Sequence, residues 1–194
     1  MPTIDSDLTS FSEDTAAGSI HWRPSKMADA QASDDVRADV NPYPAGTYVT
    51  YYLKGQNLVS KPTGNGTLTA LRVLVEARAD GAVTIVNFEH VYLVSAAGTI
   101  LTAIDLAAGD AITILDAVYT FSLTAANLAT LGVVYADLKS VLFGVVASFN
   151  STDMLGVSAP EVDQIKIQAD YNPLSPVGTP SGSLVRRHAP TQPL

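Results

Sequence analysis

The sequence predicts an all-β fold, an antiparallel β-sandwich of jelly-roll or immunoglobulin-like type with about eight strands and extended N- and C-terminal arms. Three observations support this prediction. Residues 63–159 contain no proline, which suits strands inside a sheet. β-branched residues and alternating polar and apolar side chains dominate the same stretch. Candidate turns recur in it at intervals of about 10 residues, which leaves little room for helix.

The first predicted strand is Thr47–Lys54, with Val49, Tyr51 and Leu53 on one face. Asp80-Gly81 then separates two long alternating runs and predicts a β-hairpin with a two-residue turn. Its register would match core positions with core positions and one charge with its counter-charge. The predicted pairs are Ala79 with Ala82, Val75 with Val86, Val73 with Phe88, Leu71 with His90 and, on the other face, Arg72 with Glu89.

The later elements follow from local patterns. After short strands punctuated by Gly98 and Gly109, Ala111–Thr124 alternates, with Leu115, Tyr119, Phe121 and Leu123 on one side. Thr124 is placed to cap a short helix over Ala125–Leu131. Val141–Phe149 is apolar on both faces, as expected of a central strand. Glu161–Tyr171 alternates again, with Ile165, Ile167, Ala169 and Tyr171 inward.

The composition divides the chain into three parts. Residues 1–41 form an acidic N-terminal arm of net charge −5, in which large apolar residues are sparse and one short helix over Ser25–Ala38 is the most that we expect. Residues 42–172 form the β-sandwich domain. Residues 173–194 form a C-terminal tail that holds five of the 11 prolines and a net charge of +2. The two arms therefore differ in charge and have little apolar surface with which to fold alone.

Several classes of protein are excluded by composition. The chain of 194 residues has no cysteine, which excludes a disulfide scaffold, a thiolate metal site and a cysteine nucleophile. Its net charge of −8 argues against nucleic-acid binding. The longest apolar run, residues 141–149, is shorter than the about 20 residues of a membrane-spanning helix. The first residues lack the features of a signal peptide, so we expect synthesis in a cytoplasm and no membrane partner.

The sequence gives little support to an enzyme, and we predict no catalytic residue, metal or cofactor. Of the histidines His21, His90 and His188, only His90 lies in the domain, on its inward face, where a neutral, hydrogen-bonded side chain at the sandwich edge is favoured over a general base or a metal ligand. Gly64-Asn65-Gly66 is interpreted as a hairpin turn and not as part of a phosphate-binding loop. A calcium site formed by Asp153, Asp163 and loop carbonyls is a weaker alternative.

Four of the eight tyrosines are close in sequence, namely Tyr43, Tyr48, Tyr51 and Tyr52. Exposed aromatic side chains can stack on sugar rings, so this cluster leaves surface glycan contact as an alternative. A role in packing or in an interface is the favoured interpretation.

Two late segments carry a resemblance to a known group of proteins. Ala136–Val145 (ADLKSVLFGV) and Val162–Tyr171 (VDQIKIQADY) resemble the closing strands of β-sandwich domains in structural proteins of tailed-bacteriophage virions, of the head-decoration, tail and fibre types. The resemblance is confined to residues 136–171. It implies a structural role in the virion, with assembly in the host cytoplasm, and it implies no catalytic residue.

We therefore expect a non-enzymatic capsid decoration or cement protein whose arms interlock neighbouring subunits. Its partners would be copies of itself and the major capsid protein, and deletion of residues 1–41 would leave a folded sandwich that no longer associates. The alternatives are a tail, head–tail connector or fibre-attachment protein, or a carbohydrate-binding or adhesin module. The predicted partner-binding residues are Ile4, Leu8, Phe11, Ile20 and Trp22 in the N-terminal arm and Leu174, Val177, Leu184, Val185, Arg186 and Arg187 in the tail.

Overall fold

A computed structural model describes residues 1–40, 46–81, 86–107, 109–152 and 158–174. Within these ranges the chain forms ten strands, one α-helix and two short 3-10 helices, the latter at Met27–Ala30 and Tyr135–Lys139. The strands are β1 (Thr3–Asp14), β2 (Ala38–Asp39), β3 (Tyr48–Val49), β4 (Tyr52–Leu58), β5 (Gly66–Asp80), β6 (Val86–Val94), β7 (Ile100–Leu101), β8 (Ala117–Thr124), β9 (Gly144–Ser151) and β10 (Ala159–Pro173), and the helix is α1 (Ala125–Leu131).

The strands form an antiparallel β-sandwich, which confirms the predicted fold class. The hydrogen-bonded order is β7-β6-β9-β4-β1-β10-β5-β8, with β2 beside β10 and β3 beside β9. Strands β7, β6, β9 and β4 form one layer, and β10, β5 and β8 form the other. Buried apolar side chains of both layers fill the space between them, among them Leu71, Val73, Phe88, Leu93, Phe149, Ile165 and Ile167.

Strand β1 joins the two layers and corrects the prediction of an extended N-terminal arm. Residues 3–7 pair with β10, and residues 8–14 pair with β4. Ile4 and Leu8 are buried in the core of this chain. Alternation is hard to detect here because the inward position between them is Ser6, whose hydroxyl accepts a hydrogen bond from the Ser60 N–H at 2.9 Å.

The segment after β1 also packs on this chain. The Trp22 side chain is 1% exposed, donates a hydrogen bond from Nε1 to the carbonyl of Tyr51 at 2.7 Å and meets the Phe149 ring edge-on. The backbone N–H of Trp22 donates to Glu13 Oε2 at 2.8 Å. Residues 1–40 therefore pack as part of the sandwich, and one buried Trp contributes to this packing from a stretch with few large apolar residues.

The predicted β5–β6 hairpin is wrong. Strand β5 pairs with β10 and β8, so Val75 lies opposite Ile165 and Tyr119, whereas β6 pairs with β9 and β7. The Arg72 guanidinium bonds Asp170 Oδ2 at 2.7 Å and not Glu89. The chain crosses from one layer to the other after Asp80, and both strands keep their apolar faces inward, so alternation alone could not distinguish a hairpin from a crossover.

The other local predictions have mixed outcomes. Helix α1 has the predicted bounds, and Thr124 caps it by accepting a hydrogen bond from the Asn127 N–H. Strand β9 confirms the predicted central strand but begins at Gly144, which leaves Val141 58% exposed, and β10 confirms the predicted alternating strand. Strand β8 is shorter than predicted, because it begins at Ala117 and leaves Leu115 73% exposed. Gly64-Asn65-Gly66 is not a hairpin turn, since β4 and β5 lie in different layers.

Candidate functional site

A bulge in β6 forms a polar site by placing Glu89 and His90 side by side. The pairing with β9 shifts between Phe88 and His90, so the inward positions are Phe88 and Val91, three residues apart. The extra residue turns Glu89 and His90 to the outer surface, where each is partly exposed. The prediction that His90 points inward is therefore wrong, because a bulge reverses the alternation on which it depended.

His90 is held in place from behind by Asp105. His90 Nδ1 lies 2.6 Å from Asp105 Oδ2, and Asp105 Oδ1 accepts the backbone N–H groups of Val91 and Ala107 at 3.1 and 3.2 Å. Burial raises the pKa of Asp105, but these hydrogen bonds outweigh it and the pKa is below its ordinary value. In the neutral tautomer that donates from Nδ1 to this carboxylate, His90 presents Nε2 as an acceptor.

Glu89 is oriented by a chain of amide side chains. Asn150 donates from Nδ2 to Glu89 Oε2, and Asn150 Oδ1 accepts from Asn87 Nδ2 at 3.1 Å. The other carboxylate oxygen, Oε1, lies 3.9 Å from His90 Nε2. Glu89 Oε1 and His90 Nε2 therefore lie next to each other, on two side chains that are each one-third exposed and each held by a second residue.

Two buried tyrosines support this pair from below. His90 stacks on Tyr92 at a centroid distance of 5.2 Å, and Tyr92 meets Tyr52 edge-on at 6.2 Å. Burial, together with Asp105, raises the pKa of Tyr92 to about 12, and burial also raises the pKa of Tyr52. Both hydroxyls are therefore neutral at physiological pH, and their rings pack inside the protein.

The predicted tyrosine cluster is divided between packing positions. Tyr48 and Tyr52 are buried, and Tyr51 is half-buried against the core and against His21. Tyr43 lies outside the described residues. The packing interpretation is confirmed for Tyr48 and Tyr52, each of which is only 5% exposed.

Glu89 and His90 border a cleft of about 430 Å³. Its other walls are Ala17, Gly18 and Ser19 from the loop after β1, and Thr47, Tyr48 and Val49 around β3. Gly18 has a φ of +79°, and a Cβ there would lie 2.0 Å from the Thr50 carbonyl oxygen, so only glycine lets the loop approach this closely. The volume is within the about 300–1,000 Å³ of small-molecule sites.

The site has groups for hydrogen bonding, and its neighbouring serine is not placed to act as a nucleophile. Ser148 lies opposite His90 on β9, but it is fully buried and its hydroxyl has no partner among the described residues, so it is not a nucleophile that His90 activates. The described residues contain no cluster of three or more His, Asp or Glu side chains that could hold a metal ion. In the same part of the chain, no helix has the length and apolar character needed to cross a membrane.

The predicted partner-binding residues do not form this site. Ile4, Leu8 and Trp22 are buried, and Phe11 and Ile20 pack against the same core, so the expectation that these five anchor a neighbouring subunit is corrected. Leu174 is exposed at the end of β10, where its N–H donates to the carbonyl of Asn65 at 3.0 Å. Val177, Leu184, Val185, Arg186 and Arg187 lie outside the described residues, as does Asp153 of the calcium alternative.

Sequence reasoning missed Glu89, Asp105 and Asn150 as site residues. Glu89 was assigned to a hairpin ion pair, and Asp105 and Asn150 are single polar residues in unremarkable contexts. The one available signal is the run Asn87–His90, in which Glu89 and His90 are adjacent polar residues within an otherwise alternating strand. Such a doublet is compatible with a bulge.

Comparisons with known proteins add little to this description. No protein-family model matches the chain, and no curated protein does. A solved structure described as CBM35 from Paenibacillus barcinonensis is 9% identical, covers 88% of this chain and 98% of its own, and has a TM-score of 0.32. A similarity of that size carries no argument about the cleft or its ligand.

Proposed function

We propose that this protein is a non-catalytic β-sandwich module that binds a neutral sugar in the cleft beside Glu89 and His90. The observation that carries the proposal is the oriented pair of acceptors, Glu89 Oε1 and His90 Nε2, which lie 3.9 Å apart. Neighbouring hydroxyl groups on a sugar ring offer donors at a similar spacing. Ser19 and Thr47 add hydroxyls to the same cleft.

The electrostatics of the cleft select among sugars. Glu89 is a carboxylate, and Asp105 is held in its ionised form behind His90. An anionic sugar would place a third negative charge beside these two, on a protein of net charge −8. We therefore propose that uncharged sugars bind and that uronic acids are excluded.

Calorimetric titration with a panel of neutral monosaccharides, disaccharides and uronic acids tests the proposal. Because a hydrogen bond to a charged group contributes about 1.5–3 kcal/mol, we expect Glu89→Gln to weaken binding of the best neutral sugar by about tenfold or more. Glu76→Gln, which removes one carboxylate from β5 in the other layer, is the matched control and should bind like the wild type.

Two results would overturn the proposal. One is the absence of binding by every neutral sugar in the panel at millimolar concentration. The other is equal affinity of the Glu89→Gln and Glu76→Gln variants for the sugar that binds. Preferential binding of a uronic acid would contradict the assignment of Glu89 as an acceptor.

The role in a phage virion stays a prediction. Three of its predicted N-terminal anchors are buried in this chain's own core and two are partly buried against it, and most of its tail anchors lie outside the described residues. What continues to support it is the strand resemblance over residues 136–171.

A further inference from the structure

The outer edge of β8 is available for pairing. Strand β8 is the last in the hydrogen-bonded order, with β5 on one side and no strand of the described ranges on the other. In an antiparallel strand, alternate residues turn their N–H and C=O groups away from the existing partner. These unpaired backbone groups can accept another strand.

Strand β8 lacks the features that usually prevent such pairing. Its sequence, AVYTFSLT, has no charge, proline or glycine, and its register with β5 is continuous from Ala77–Ala117 to Ala70–Thr124, without a bulge. Val118 is 54% exposed on the outer face. Natural sheets protect an open edge with lysine, proline or a bulge, so an edge of this length and composition favours a partner strand.

The charge distribution favours a second copy as that partner. With a net charge of −8, two copies repel each other except where their surfaces are neutral. Residues 117–131, which comprise β8 and α1, contain no charged side chain. At the start of this stretch Asp116 is neutralised by Arg37, with a distance of 2.8 Å between Arg37 Nη2 and Asp116 Oδ2.

The edge is also complementary to itself. When an antiparallel strand pairs with its own copy about a two-fold axis, the Ala117 end of one strand meets the Thr124 end of the other. The exposed Leu115 of one protomer would then face the exposed Ala125 and Ala126 at the start of α1 in its partner. A large apolar side chain would thus meet a small apolar surface at both ends of the interface.

We infer that two copies of this chain associate through antiparallel pairing of their β8 edges, which joins their β10-β5-β8 layers into one continuous sheet. A contact built on one strand pair buries less than the about 1,200–2,000 Å² of a standard interface. Small interfaces are typical of weak, transient complexes, so we expect the dimer to form reversibly. This inference is independent of the sugar cleft, which lies in the other layer.

Analytical ultracentrifugation of the full chain over a range of about 1–300 µM tests the inference. We expect the wild type to change from monomer to dimer with rising concentration. Thr120→Lys places a charge at an exposed position of the edge and should weaken the association at least tenfold. Ser10→Lys makes the same charge change at an exposed position of β1 and should leave it unchanged. Far-UV circular dichroism establishes that both variants are folded.

Hydrogen exchange locates the contact. The outward-facing amide groups of β8, which belong to alternate residues of 117–124, should become more protected as concentration rises, while those of β1 should not change. A monomer at every concentration, or equal association of the two lysine variants, would overturn the inference. Concentration-independent protection of all the β8 amides would also overturn it, because the edge would then be covered by a segment of the same chain.

Discussion

Asp163 is a carboxylate buried within the fold, at the start of β10. Its side chain is 1% exposed, Oδ2 accepts the Asp35 N–H at 3.2 Å, and Oδ1 has no partner among the described residues. Burial raises the pKa of Asp163, and Glu76 adds to this effect, while the backbone N–H groups of Asp35 and Asp34 and the charge of Arg37 oppose it. The buried charge is therefore a cost to stability at neutral pH.

The sign of the pH dependence follows from this shift. Because the pKa is higher in the folded state than the 3.8 of an ordinary Asp, the protonated group contributes stability at low pH. That contribution is lost as pH rises through the folded-state pKa. We expect Asp163→Asn, which keeps an oxygen for the Asp35 N–H, to have a larger free energy of unfolding than the wild type at neutral pH. The gain should shrink as pH falls toward 3.8.

Urea unfolding at about pH 4 and about pH 7.5 measures both effects. The control is Asp110→Asn, an exposed carboxylate with no side-chain hydrogen bond among the described residues, whose effect should stay within about 0.5 kcal/mol. A variant at Asp163 that is less stable than the wild type at neutral pH would show that the ionised carboxylate is needed where it lies.

Among the elements, β1 contributes to both layers. Its first half extends the β10 layer and its second half extends the β4 layer. We expect deletion of residues 1–14 to abolish the cooperative unfolding transition. The deletion unpairs edges of β4 and β10 and removes Leu8 and Ile4 from the core, and each such loss costs about 2–5 kcal/mol. The expected total is comparable with the about 5–15 kcal/mol stability of a domain.

A complementation experiment tests whether the loss of folding is due to the missing β1 or to a general effect of shortening the chain. A synthetic peptide of residues 1–14, added to the truncated protein, should restore the far-UV circular dichroism of a folded sandwich, whereas a scrambled peptide should not. Full folding of the truncated chain without the peptide would support the independent sandwich that the sequence predicts.

Features determined by neighbouring residues could be predicted from the sequence, whereas features determined by residues far apart in the chain could not. Helix α1 was predicted with its correct bounds, because Thr124 and Asn127 determine its start locally. Strand pairing was not, because the residues that pair with β5 are about 40 to 107 positions away, from Ala77–Ala117 to Gly66–Pro173, and the next strand in sequence, β6, lies in the other layer. The site was missed for a related reason, since one extra residue before His90 reversed the orientation that alternation predicts.

At the scale of the whole molecule, β1 belongs to both layers, so we expect residues 1–40 and the rest of the sandwich to unfold together. The chain contains one Trp, and Trp22 reports on the segment that follows β1, since its ring packs against Phe149 of β9. Far-UV circular dichroism reports on all the strands. In a two-state transition both probes give the same midpoint.

We expect the midpoints of Trp22 emission and circular dichroism in urea to coincide, with a shift of the emission to longer wavelength as the buried indole meets water. If the emission changes at a lower urea concentration, while the strand signal persists, the N-terminal segment detaches from a sandwich that stays folded. That outcome would support the N-terminal arm predicted from the sequence as a separate unit that can bind a neighbouring molecule. The independently folded sandwich would then consist of the later strands alone.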